Sequence, residues 1–327
     1  MSYKLTVFRN SNKKSLNRIS KFLSNSSYST IFHYPEFLAY HGSRFNNEAI
    51  YLAWEKGDEI SAVMPAILDK QGEGFSLRSP YGASFGGIIT KTTLKLKEAI
   101  KLVNVLVEFC ESECIYNIVI IFAPQIYFPQ INDGLFFALE SVGYVLKSRD
   151  IFSVVDISSN YEQVWESYEG RARTAVRKAY PVFEILADAE LEDFYPILLE
   201  DKSRLYAKPT HTLKELLRIK ETFPERIWVD IAKHKETGAK AGICYFQVTD
   251  NVVMTFYMSQ ETAALKLNGI NLLINYAINH AVNKGFNLFD FGGSTIGYKV
   301  ENIGVSNFKE SFGAISSSRL TYEWNKR

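Results

Sequence analysis

The run "IWVDIAKHKETGAKAGICYFQVTDNVVMTFYMS" limits the fold more than any other part of the chain. It is rich in β-branched and aromatic residues and broken only at the turn formers Thr237-Gly238 and Asp250-Asn251. That pattern is a three-stranded antiparallel meander. A long helix over residues 265–284 follows, stopped at Gly285, and then the apolar strand "FNLFDFGG". A sheet that receives one long, mostly apolar helix and then one more buried strand must be a layered α/β structure, with the helix covering one face.

The first half runs in the same order. "AIYLAWEKGDEISAVMPAILDK" is a hairpin about Lys56-Gly57-Asp58. A helix over 94–114 carries Ile100, Val103, Leu106 and Val107 at helical spacing, and "NIVIIFAP" is a buried strand. A short strand and a polar helix come first, then "IFHYPEF", with Pro35 and Glu36 in a first helical turn. The glycine-punctuated "SLRSPYGASFGG" follows the hairpin. "DGLFFALESVGY" reads as a helix and "FSVVDIS" as a strand. The plan then restarts between 148 and 158, with a helix over 161–180, further helices over 190–222, the meander, and a last strand at "RLTYEW". The repeat is one of element order, not of sequence. With 327 residues, two domains are expected, 1–150 and 151–327.

Composition excludes several function classes. A net charge of +1 gives no global field for polyanions, so a nucleic-acid partner needs a local basic patch. Cys110, Cys114 and Cys244 show no zinc spacing and read as reduced core thiols. The histidines make no HExxH pair, there is no Walker loop, and no metal is expected. No apolar signal core or membrane-length run is present, so a cytoplasmic protein is expected.

"FDFGGS" followed by "NFKESFGA", with "IFHYPEF" and "RARTAVRKAY" earlier in the chain, resembles the FemAB-like acyltransferases over nearly the whole sequence. The resemblance implies an α/β (α+β) fold of two tandem GNAT-like domains, each a mixed, largely antiparallel sheet flanked by helices. It implies N-acyl transfer from an activated donor, held in the second domain, to an amine on a cell-envelope or polysaccharide precursor. The acceptor would be a small-molecule or lipid-linked saccharide or peptide. One departure bears on the donor. The Q/R-x-x-G-x-G/A turn that holds a pyrophosphate at a helix start is replaced by "SQETAALKLNG", with only Gly269. "SPYGASFGG" in the first half has glycines but no matching basic residue. Acyl-CoA and aminoacyl-tRNA both stay open as donors, and with the latter tRNA as a partner.

Particular residues carry the chemistry. In "RARTAVRKAY", Ala172, Ala175, Val176 and Ala179 form an apolar stripe flanked by Arg171, Arg173, Arg177 and Lys178. Arg173, Arg177 and Lys178 would grip donor phosphates; the alternative is a solvated helix face. Lys309 lies between Phe308 and Phe312, and the family's lysine at this motif is associated with the donor end of the site. A fixed ammonium there would hold a donor phosphate or stabilise the oxyanion of the attacked carbonyl, with Phe308, Gly292 and Gly293 framing the donor; the alternative is a surface lysine beside two core phenylalanines. Asp290, among aromatics, would accept a proton from the attacking ammonium or bind backbone amides of the glycine turn. Ser294 lacks the closing glycine of a nucleophile elbow, so direct transfer is expected. Asn268, Asn271, Asn275, Asn279 and Asn283 share about one third of a helical wheel. Asn268 and Asn271 would line an acceptor groove, or the row is a polar seam. Tyr206, in "RLYAKPTH" with Lys208 and His211, belongs to an acceptor-side loop or a plain connection. A protein of another class, a non-catalytic two-domain binder of a glycan or protein, fits the asparagine row and the many tyrosines equally well.

Overall fold

In the computed structural model, which describes residues 2–9, 12–45, 48–295, 298–299 and 303–326, the chain divides into two units. One takes in residues 1–150 with 297–299 and 317–327; the other takes in 151–296 with 300–316. In chain order the elements are β1 (Lys4–Arg9), α1 (Lys13–Leu23), α2 (Pro35–Leu38), β2 (Ala49–Lys56), β3 (Glu59–Gln71), β4 (Gly74–Ser79), β5 (Ile89–Thr90), α3 (Leu96–Ser112), β6 (Ile115–Ile121), α4 (Asp133–Ser141) and β7 (Val145–Asp156). They continue with α5 (Tyr161–Ser167), α6 (Gly170–Ala179), β8 (Phe183–Leu186), α7 (Leu191–Arg204), α8 (Leu213–Thr222), β9 (Ile227–His234), β10 (Lys240–Gln247), β11 (Val252–Gln260), α9 (Gly269–Asn283), β12 (Leu288–Gly293), α10 (Ile303–Glu310) and β13 (Ile315–Asn325).

In the first unit the sheet runs β1-β2-β3-β4-β6-β13. Its neighbours are antiparallel except β4 and β6. The Gly57 turn, at φ +63°, closes the β2–β3 hairpin. Ala99, Leu102, Val103, Leu106 and Cys110 form the buried stripe of α3 and pack in the core with Trp54. The Trp54 indole N–H donates to the Leu102 carbonyl at 2.9 Å, so the largest core side chain leaves no orphaned donor. The closing strand, expected with the second half, pairs instead with β6, from Thr321↔Ile121 to Asn325↔Asn117.

In the second unit the order is β7-β12-β11-β10-β9-β8, with β11 and β12 parallel and the rest antiparallel. Helix α9 buries Leu272, Leu273, Ile274, Ala277, Ile278 and Ala281 in a core shared with Val176, Phe289 and Phe312. Two helices differ from expectation. The one expected over 161–180 is two, because Tyr168 and Glu169 are extended (ψ 143° and 154°). Tyr168 turns its ring onto Phe312, centroids 5.1 Å apart, and burying that ring outweighs helix continuity. The one expected over 265–284 starts only at Gly269, because Asn268 is left-handed at φ +61°. A Cβ on Gly269 would lie 3.0 Å from the Phe183 ring and 3.2 Å from the Ala241 Cβ, so this glycine serves close helix–sheet packing. Cys110 and Cys244 are buried thiols, whereas Cys114 lies past the end of α3 and is exposed. No helix among the described residues is long and apolar enough to cross a membrane.

Candidate active site

The parallel strands β11 and β12 pair at Val252↔Leu288, Val253↔Phe289 and Met254↔Asp290. There the pairing ends. Beyond it β11 stays with β10 as far as Gln260↔Ala241, and β12 stays with β7 as far as Gly293↔Phe152. The two strands therefore part, and the sheet opens between them. A register shift between Cys244 and Tyr245 leaves Phe256 as an extra residue on the β11 arm, and such a bulge bends the strand away.

On the β12 arm, Gly292 takes φ +74°, which a residue with a Cβ adopts only under strain. Asp290 is fully buried, and its Oδ1 accepts the Gly292 amide hydrogen at 2.5 Å. This is the geometry of a carboxylate that fixes the glycine turn, and a 0% exposed side chain offers nothing for an acceptor amine to reach. Lys309, on α10, closes the turn. Its Nζ donates to the carbonyls of Gly292 at 3.1 Å and Gly293 at 2.7 Å, and to Ser294 Oγ at 3.1 Å. An ammonium has three hydrogens, and three acceptors meet it. Lys309 is 3% exposed, so it is no surface lysine. Burial holds its pKa down at about 8, with the nearby Asp290 acting the other way.

Ser294, weighed from sequence only as a nucleophile, is an acceptor for the ammonium and shares a 2.8 Å hydrogen bond with Ser153 on β7. Phe308 is half-buried and packs edge-on against Phe312 at 5.5 Å. Of the loop between Ser294 and α10, residues 296, 297 and 300–302 lie outside the described residues.

The basic residues of α6 divide by task. Arg173 Nη1 donates to the carbonyls of Glu166, at 2.9 Å, and Tyr168. It thus covers the C-terminal end of α5, where a cation is favoured. Arg171 pairs with Glu169 at 2.7 Å and donates to the Asn307 carbonyl at 2.6 Å, tying α6 to α10. Arg177 is exposed and lies over the Trp165 ring at 5.6 Å. Lys178 is exposed. Two of the four cations are therefore occupied by the protein's own carbonyls, while Arg177 and Lys178 face solvent.

The acceptor candidates are dispersed. Asn268 and Asn271 are half-buried at the start of α9. Farther along, Asn275 Oδ1 accepts from the Tyr161 hydroxyl at 2.8 Å, and Asn283 donates to Asn279. Asn275 thus makes a polar contact with α5, while Asn279 and Asn283 pair with each other. Tyr206 is fully exposed with a left-handed backbone at φ +53°. In the same segment His211 is buried, with its Nδ1 2.8 Å from the Tyr257 hydroxyl of β11. Among the described residues no group of three or more His, Cys, Asp or Glu could hold a metal ion.

No protein-family model matches the sequence, and no curated protein matches it either. Solved structures do. FemX superposes with a TM-score of 0.71 at 12% identity, covering 99% of this chain and 97% of that one. L-PGS from Bacillus licheniformis gives 0.60 at 11% identity, over 98% and 94%. A tandem GNAT protein from the clavulanic acid biosynthesis pathway gives 0.52 at 7% identity, over 99% and 98%. At such identities the likeness is one of fold: the chain has the FemX-type, tandem GNAT fold.

Proposed function

We propose that the chain is an N-acyltransferase, in which an amine on a cell-envelope or polysaccharide precursor attacks an activated acyl carbonyl held in the second unit. The observation that carries this reading is the Lys309 ammonium, fixed on the Gly292 and Gly293 carbonyls where β11 and β12 part. A cation held by backbone carbonyls is already oriented and need not reorganise when negative charge develops beside it. An arriving oxyanion or donor phosphate takes the place of the Ser294 hydroxyl as its third partner, and Ser294 falls back on Ser153. Lys309 and the Gly292-Gly293 turn act at the donor's reacting end. The exposed Arg177 and Lys178, with Phe308 beside Lys309, serve the rest of the donor.

The leading donor is an acyl-CoA-type thioester, since a net charge of +1 gives no large polyanion field. One observation favours aminoacyl-tRNA instead. The single glycine at the start of α9 is taken up by packing against Phe183 and Ala241, so the glycine loop usual for a pyrophosphate is missing. Incubating the protein with a panel of amino sugars and either acetyl-CoA or alanyl-tRNA tests the reading, with the amide product detected by mass spectrometry. Amide from either donor is expected. No amide from both would overturn the reading and favour a non-catalytic binder.

A further inference from the structure

An amine that arrives as its ammonium must lose a proton before it attacks a carbonyl, and among the described residues the site around Lys309 offers no reachable group to take it. Asp290 is fully buried on the Gly292 amide, and Lys309 is a donor to three acceptors. The opposite arm of the opened sheet carries a different pair. Tyr257 lies three residues past Met254, the last β11 residue paired with β12. Gly293 lies three past Asp290 on the other arm; both intervals hold a register shift and face only two residues of the partner strand, so the two positions are each about 7 Å beyond the last pair. Tyr257 pairs with Cys244 and Met254 with Phe246. Cys244 and Phe246 alternate onto one face of β10, and Met254 is directly opposite Asp290. Tyr257 and Asp290 therefore share a face of the sheet.

Tyr257 is half-buried and the hydrogen bonds at its oxygen have a direction. The His211 backbone N–H donates to it at 3.3 Å. Its own hydrogen is left for His211 Nδ1, 2.8 Å away. Burial pushes the Tyr257 phenol up to about 12, so it stays protonated and passes a proton on without storing charge. The Tyr195 hydroxyl holds the His211 carbonyl at 3.1 Å, and the Phe256 ring packs on the imidazole at 4.9 Å.

We infer that Tyr257 and His211 are the proton relay of the acyl transfer proposed above, on which this inference rests, with Tyr257 touching the amine and His211 the terminal acceptor. The acceptor's ammonium gives a proton to the Tyr257 oxygen as the phenol's own proton passes to His211 Nδ1, and the freed nitrogen lone pair forms the C–N bond. The carbon–sulfur or carbon–oxygen bond breaks, its electron pair leaving on the donor atom, which takes the second proton from the nitrogen. The proton on His211 passes to water, and the relay is restored.

The test compares Tyr257→Phe, His211→Gln and the wild type with glucosamine and with hydroxylamine as nucleophiles, using acetyl-CoA and alanyl-tRNA as donors. Hydroxylamine is uncharged at neutral pH and needs no base before it attacks. Both variants are expected to lose roughly 10²-fold in kcat with glucosamine, keep KM within about threefold, and recover near-wild-type rates with hydroxylamine. Wild-type rates with glucosamine would overturn the relay and leave acyl transfer standing. Slow rates with both nucleophiles would overturn it as a merely structural contact. If the wild type itself transfers to neither nucleophile, the acyltransferase reading fails.

Discussion

The ammonium of Lys309 lies 2.7 Å from the carbonyl oxygen of Gly293. Fixing it there takes two stretches of chain: the α10 helix that carries the lysine, and the end of β12, where the Asp290 carboxylate pins the glycine turn through the Gly292 amide. The lysine and the turn each make a prediction.

Burial holds the Lys309 pKa at about 8 in the folded chain, against 10.5 for an ordinary lysine. Between those values the unfolded chain binds one more proton than the folded one, so stability rises with pH across the window. The full rise from this group is roughly 3 kcal/mol. Below pH 8 both states are protonated and the buried charge lowers stability throughout. Urea unfolding of wild type and Lys309→Met from pH 7 to 10.5 should show the extra rise in the wild type alone. Parallel curves would mean that the ammonium is not desolvated.

Gly292→Ala introduces a Cβ whose nearest neighbour is the Thr255 carbonyl at 3.9 Å. Space is therefore not the difficulty; the backbone at φ +74° is. The variant should unfold roughly 1–2 kcal/mol more easily, and transfer should fall with it as the carbonyl swings off Lys309. Unchanged stability and unchanged transfer together would show that the turn is not specified.

Arg173 and Lys178 should separate cleanly. Arg173→Ala uncovers the Glu166 and Tyr168 carbonyls and should lower stability by about 1 kcal/mol. Lys178→Ala should leave stability within about 0.5 kcal/mol while weakening donor binding and flattening its salt dependence. Donor affinity measured over a salt series decides; an identical slope in wild type and Lys178→Ala would remove this residue from the donor site.

Much of the fold is legible in the sequence because its signals are local. Gly57 turns a hairpin and Gly285 follows the end of α9 within a few residues of the patterns they punctuate. What is not legible depends on partners far along the chain. The break at Tyr168-Glu169 answers to Phe312, and without that ring the run 161–180 reads as one helix. The closing strand's place beside β6 depends on a pairing that spans the chain. At the site, the phenylalanine frame marks Lys309, but a helical wheel says only that the lysine points away from Phe308 and Phe312. That it points at the Gly292 and Gly293 carbonyls is a property of the fold. His211 and Tyr257 gave no joint signal, since only the opened sheet and the loop after α7 bring them together.

The most direct measurement is the transfer rate of Lys309→Met, taken beside its unfolding curve. The side chain keeps its length and loses its charge. The account predicts a folded protein whose transfer is lowered by roughly 10²-fold or more. A folded variant that transfers at the wild-type rate would contradict it.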